Sequence, residues 1–124
     1  MFELTVKSEF EAAHQINGYN GKCQRLHGHN WTVEVIVNGN ELDELGMLID
    51  FKILKAELNR VLDELDHRYL NDLPMFKNVN PTAENLAQYV FKSLLTSEIF
   101  LDTKAKLSAV RVYESPKSCV TYIE

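Results

Sequence analysis

Residues 31–37 alternate as a half-buried β-strand must. Trp31, Val33, Val35 and Val37 are apolar, with Thr32, Glu34 and Ile36 between them, and a period of two sends each set to its own face of a sheet. Extended backwards, the alternation puts His27 and His29 on one face, about 7 Å apart between Cα atoms. Two imidazoles on that spacing can converge on one metal ion. Gly28 between them leaves the opposite face open to close packing, and Asn38-Gly39-Asn40 stops the strand. A second alternating run, Phe2, Leu4 and Val6 with Glu3, Thr5 and Lys7 between, predicts a long first strand ending near His14. Three of the four histidines thus fall on two neighbouring strands. Zinc with three protein ligands keeps its fourth position open, which is the catalytic rather than the closed structural arrangement. Three isolated surface or core histidines are the bland alternative, and the concentration at two strand ends favours the metal.

The rest of the chain supplies two helices and two closing strands. Asp50 is placed to cap a helix in which Phe51, Leu54, Leu58, Val61, Leu62 and Leu65 recur at helical spacing. That helix is expected to run to about Leu65. Residues 66–80 look irregular, with Pro74 among them. Thr82 is the expected cap of a second helix whose inner face is Leu86, Tyr89, Val90, Ser93 and Leu94. Leu107 to Tyr113 and Cys119 to Ile123 read as strands joined at Ser115-Pro116-Lys117. The order is β-β-α-α-β-β. The expected fold is α+β: a four-stranded antiparallel sheet with two helices on one face. Its long exposed edges make oligomerisation by edge pairing the expectation.

At 124 residues the chain is expected to form one domain, residues 1–124. Its 45% hydrophobic and 25% charged content is that of an ordinary globular protein. No apolar run approaches 18 residues, so no membrane partner is expected. The N-terminal Met-Phe-Glu-Leu-Thr-Val-Lys lacks a basic region followed by an apolar one, which favours the cytoplasm. There Cys23 and Cys119 are expected to be reduced thiols. A net charge of −5 argues against a nucleic-acid partner, though local basic groups can still bind an anionic small molecule.

Four other residues carry chemistry. Cys23 lies four residues before His27, in a polar loop; a thiol near zinc or an imidazolium becomes a thiolate base or nucleophile, against the alternative of a small buried residue. Asp66-His67 is either a carboxylate-held general acid/base or a histidine favoured by a helix C-terminus. Glu114 at a strand end can accept two N–H donors from a guanidine-like ring edge, or stand as a solvated turn residue. Cys119, in an apolar strand pattern, is taken as structural.

These residues together resemble the 6-pyruvoyl-tetrahydropterin synthase superfamily, most closely its bacterial 6-carboxy-5,6,7,8-tetrahydropterin synthase branch of queuosine (7-deazaguanine) biosynthesis. The matching pieces are Phe10-Glu11-Ala12-Ala13-His14, Cys23-x-x-x-His27-Gly28-His29, Gly46-Met47-Leu48-Ile49-Asp50-Phe51, Leu65-Asp66-His67 with Leu70-Asn71-Asp72, Asn80-Pro81-Thr82-x-Glu84-Asn85, and Glu114. They occur in order over nearly the whole chain. Three residues between Cys23 and His27 match the carboxy-forming branch, whereas the pyruvoyl-forming enzymes carry a longer insert.

The resemblance implies the tunnelling fold, with trimers stacked into homohexamers, sheets closed into a barrel and active sites between subunits. It implies that His14, His27 and His29 hold one Zn2+ per subunit and that Cys23, Asp66 and His67 form the catalytic triad. Glu114 would anchor the pterin ring, helped by backbone near Thr82 and Ala83. The implied activity is a zinc-dependent carbon–carbon lyase converting 7,8-dihydroneopterin triphosphate to 6-carboxy-5,6,7,8-tetrahydropterin, acetaldehyde and triphosphate. Lys22, Arg25 and Lys117 are candidates to meet the triphosphate. Triphosphate elimination without side-chain cleavage is the alternative. A three-histidine zinc hydrolase and a non-enzymatic zinc scaffold are rivals that leave Asp66-His67 and Glu114 without a purpose.

Overall fold

The computed structural model of the chain describes residues 1–19, 21 and 25–124. Strands β1 (Phe2–His14) and β2 (His27–Gly39) pair antiparallel along their whole length, from Phe2 opposite Gly39 to His14 opposite His27. Helix α1 spans Phe51–Asp63 and α2 spans Ala83–Leu95. Between them lies β3 (Arg68–Tyr69), and β4 (Lys106–Ser115) and β5 (Ser118–Ile123) close the chain. The sheet runs β3-β1-β2-β4-β5. It is antiparallel except at β3, which pairs parallel with Ala12 and Ala13.

Alternation decides which face the helices cover. Val6, Phe10, Ala12 and His14 of β1 are buried, as are Trp31, Val33, Val35 and Val37 of β2 and Val110 and Val112 of β4. Against them pack Leu54, Leu58, Val61 and Leu62 of α1 and Leu86, Ala87, Val90, Phe91 and Leu94 of α2. At about 1.5–3 kcal/mol for each large apolar side chain removed from water, this layer holds the two strand ends in place. Asp50 caps α1 by accepting the Lys52 N–H at 2.8 Å, and Thr82 caps α2 by accepting the Asn85 N–H at 3.1 Å. No helix among the described residues is long and apolar enough to cross a membrane.

The other face of the sheet is polar. Lys7, Glu34, Arg111 and Thr121 stand in one cross-strand row. The buried Glu34 carboxylate meets the Arg111 Nη1 at 3.2 Å and the Lys7 Nζ at 3.7 Å, and the Arg111 Nε–H donates to Thr121 Oγ1 at 3.0 Å.

Several local expectations differ from the structure. The sheet has a fifth strand: two-residue β3 lies in the stretch that reads as irregular, because a pair that short carries no periodicity. Helix α1 stops at Asp63, short of Leu65, although Leu65 is still buried. Phe51 is 61% exposed, at the first helical turn, where it lines a surface groove with Phe2–Thr5 of β1. On α2 the inner face turns towards Ala87 and Phe91, leaving Tyr89 and Ser93 half-buried at its margin. Cys119 is a free, exposed thiol rather than a packed one.

Candidate metal centre and active site

The histidine cluster is the end of the core. On the helix-covered face, β1 and β2 place Val6 opposite Val35, Ser8 opposite Val33, Phe10 opposite Trp31, Ala12 opposite His29 and His14 opposite His27. The apolar row turns into imidazoles where the strands run out. Trp31 is the floor: it stacks on Phe10 at 5.9 Å, and His14 and His29 meet it nearly perpendicular at 5.0 and 5.2 Å between centroids.

Main-chain carbonyls orient two of the rings. His14 Nδ1 lies 2.7 Å from the Pro81 carbonyl oxygen and His27 Nδ1 lies 2.6 Å from that of Arg25. A carbonyl only accepts, so both Nδ1 atoms carry the proton. In the neutral rings both Nε2 atoms then present lone pairs, and they face each other across 3.0 Å. His29 Nε2 is buried there too, with no hydrogen-bond partner among the described residues. One ligand atom from each ring lies within 4.8 Å of the others. Burial holds the His14 and His29 pKa values below the usual histidine range, outweighing the Pro81 carbonyl bonded to His14 and the Glu114 carboxylate, which pull the other way. Neutral imidazoles with converging lone pairs and an orphaned nitrogen suit a cation at their centre.

Glu114 joins this cluster from β4. It continues the inward series Val110 and Val112, and the pairing with β5 shifts register between Tyr113 and Ser115. Such an irregularity re-aims a side chain at a strand end. The half-buried carboxylate lies 3.6 Å from His29 Nε2 and 3.8 Å from His14 Nε2. Thr82 and Ala83 open α2 directly after Pro81, so the unpaired N–H groups of the first helical turn start beside the residue that orients His14.

Asp66 and His67 are brought together, but not with the three histidines. Asp66 Oδ1 accepts the Glu11 N–H at 2.9 Å and contacts His67 Nδ1 at 3.0 Å. His67 stands in the left-handed region at φ 56°, where its N–H donates to the Glu11 carbonyl at 2.5 Å. Its other nitrogen lies 3.3 Å from the Glu11 carboxylate. Glu11 belongs to the set that alternates away from the helices. His67 thereby lines an open groove with Glu11, Ala12, Ala13, Gly28, His29 and Asn30. Sequence reasoning misses the Glu11 carboxylate as a partner of His67, although its parity in β1 signals the face it occupies. The Pro81 and Arg25 carbonyls, being main chain, have no side-chain signature at all.

The hydrogen bond from Asp66 raises the His67 pKa, with the carboxylate's charge adding to it. The Asp66 carboxyl is correspondingly lowered, first by the Glu11 N–H and then by His67. A pKa raised on folding contributes stability below the ordinary histidine value, and that stability is lost as pH rises through the folded value. Asp66→Asn should return the His67 pKa towards the ordinary value near 6.5. Histidine titration by NMR reads this directly, and an unchanged titration would remove Asp66 as the cause.

Cys23 and Lys22 lie outside the described residues. Arg25 contributes its carbonyl to the cluster, and Lys117 sits exposed at the β4–β5 turn.

The 6-pyruvoyl tetrahydropterin synthase family profile matches residues 3–124. A Synechocystis relative named 6-carboxy-5,6,7,8-tetrahydropterin synthase is 38% identical over 98% of this chain and 93% of its own. A Rickettsia felis relative of the same name is 33% identical over 97% and 99%. The solved structure of Caenorhabditis elegans 6-pyruvoyl tetrahydropterin synthase superposes with a TM-score of 0.85 at 33% identity, over 99% of this chain and 95% of that one. With its five-stranded sheet, two helices and terminal histidine cluster, the chain belongs to the 6-pyruvoyl tetrahydropterin synthase family and has its tunnelling fold.

Proposed function

We propose that this protein is a zinc-dependent 6-carboxy-5,6,7,8-tetrahydropterin synthase of queuosine biosynthesis. It takes 7,8-dihydroneopterin triphosphate to 6-carboxy-5,6,7,8-tetrahydropterin, acetaldehyde and triphosphate, and works in the cytoplasm as one domain spanning residues 1–124. The observation that carries the reading is the convergence of three imidazole nitrogens beside Glu114, one of them buried without a partner among the described residues. The choice of product follows the two bacterial relatives.

His14, His27 and His29 hold the ion. Bound zinc supplies Lewis acidity that eases ionisation of the substrate's side-chain hydroxyls. Glu114 accepts N–H donors from the pterin edge, with backbone at Thr82 and Ala83 completing the seat. Cys23, as thiolate, removes a proton at C1′. His67 delivers or takes the partner proton, and Asp66 fixes its tautomer and keeps it protonated to higher pH than a free histidine. Lys22, Arg25 and Lys117 are the cations available to the triphosphate.

The active site is completed between copies. In one chain Asp66 and His67 are bonded to Glu11, whose side chain alternates away from that of His14, and the dyad serves the cluster of a neighbour. The sheet offers the means. β5 is an outer strand, and among the described residues β1 has strand partners on its β3 side at Ala12 and Ala13 alone. Edge pairing of β5 with β1 of the next copy closes a barrel, first as trimers and then as a hexamer.

Incubating the zinc-loaded protein with 7,8-dihydroneopterin triphosphate, with products analysed by mass and acetaldehyde assayed, tests the reading. Carboxy-tetrahydropterin with acetaldehyde supports it. A pyruvoyl product without acetaldehyde moves the protein to the activity named for its C. elegans neighbour and leaves the site assignments standing. No consumption by a zinc-replete oligomer sinks the enzyme reading.

A further inference from the structure

Beyond His14 the chain leaves the β1–β2 ladder, yet its main chain stays satisfied in an unusual way. Successive residues of an extended strand present N–H and C=O to alternate edges, so residues 11, 13, 15 and 17 address the same edge. Glu11 is met there by Asp66 and His67, and Ala13 by Tyr69 of β3. At the next two positions two side-chain amides take the place of a strand. The Gln15 N–H donates to Asn71 Oδ1 at 2.9 Å while Asn71 Nδ2 donates to the Gln15 carbonyl at 2.8 Å. The Asn17 N–H donates to Asn80 Oδ1 at 3.0 Å while Asn80 Nδ2 donates to the Asn17 carbonyl at 3.0 Å. A carboxamide carries one acceptor and a donor group in the geometry of a peptide, so each asparagine pairs as a strand residue would.

What these clamps join is specific. Asn80 immediately precedes Pro81, whose carbonyl orients His14, and Thr82, which opens α2. The Asn80 carbonyl is itself held by the Thr82 N–H at 2.9 Å and by Asn85 Nδ2 at 2.8 Å. The turn that fixes the His14 ring and the strand that carries His14 are therefore tied together a second time, through Asn80 and Asn17.

We propose that Asn71 and Asn80 are positioning residues. Asn80 sets the register between the metal-binding face of His14 and the Thr82–Ala83 backbone that seats the pterin, and Asn71 holds the strand end beside His14 to the Leu70–Asp72 turn. The inference rests on the function proposed above. It deepens that reading by assigning two residues whose side chains bond the main chain of the strand end that carries His14.

Asn80→Ala and Asn71→Ala are compared with Asn59→Ala, which loses a side-chain hydrogen bond to Ser8 on β1, far from the cluster. Zinc affinity is measured by chelator competition, geometry by the d–d spectrum of the cobalt(II)-substituted protein, and turnover as separate kcat and KM. The Asn80 and Asn71 variants should weaken zinc and raise KM by about 10-fold or more, the usual effect of removing an outer-shell partner. Their cobalt spectra should shift. Asn59→Ala, with a comparable fall in Tm, should match wild type in all three. If Asn80→Ala does not fold, Asn80→Asp keeps the volume and the acceptor for the Asn17 N–H while replacing the donor with a charged oxygen that faces the Asn17 carbonyl; the same directions are expected. Folded Asn71 and Asn80 variants with zinc affinity and KM within about twofold of wild type would overturn the inference alone. A wild-type chain that binds no zinc would overturn the functional reading, and the inference with it.

Discussion

His29→Ala should yield a folded protein that holds no tightly bound zinc and turns over no pterin. The side chain is at the rim of the cluster, opposite Ala12, so its loss opens space to solvent rather than a cavity in the core. Its effect on the metal is another matter. Structural zinc sites bind with apparent free energies of about 10–16 kcal/mol, so one ligand in four carries roughly 3–4 kcal/mol, or about 10²–10³ in affinity. Cys23→Ala should act differently: zinc stays and turnover stops. Metal analysis after gel filtration, beside the product assay, separates the two. Stoichiometric zinc in His29→Ala would dismiss the histidine cluster as the metal site, and near-normal turnover by Cys23→Ala would dismiss the thiolate.

The second large effect comes from mixing two dead proteins. If the dyad of one copy serves the histidine cluster of the next, Cys23→Ala and His67→Ala subunits complement each other. In a randomly reassembled oligomer a competent site needs an intact Cys23 from one chain and an intact His67 from its neighbour, so about a quarter of sites recover. Either variant reassembled alone should stay inactive. Denaturing the two together, refolding with zinc and assaying pterin turnover measures this. No recovery from a well-mixed oligomer would mean that the triad is built within one chain.

The legible parts of the fold are those where one side chain in two, or one in three or four, must face a core. Trp31, Val33, Val35 and Val37 mark their strand because each is buried. The same parity carries His27 and His29 to one face from the residue pattern alone. Asp50 and Thr82 are legible as caps because a helix start needs a side-chain acceptor there. What stays hidden has no side-chain period. Strand β3 is too short to alternate, and the hydrogen bonds that orient His14 and His27 go to main-chain carbonyls. The placement of Asp66 and His67 against Glu11 of β1 is a matter of tertiary geometry. Adjacency in the sequence suggests a pair, and the pair is there, but nothing in residues 63–69 says which side of β1 it occupies.

All three histidines of the cluster belong to a single antiparallel pair, with His14 and His27 thirteen residues apart in the chain. That places the candidate metal centre among the local contacts of this fold, whereas β4 must return from across both helices to pair with β2. Local contacts form early, since they close the shortest loops. An isolated two-stranded ribbon is marginal in water. An ion bridging its open end would hold the pair together while the helices and β4 arrive. Zinc should therefore quicken refolding more than it slows unfolding, a division that stopped-flow traces with and without the ion would show as a raised folding limb of the chevron beside an almost unmoved unfolding limb.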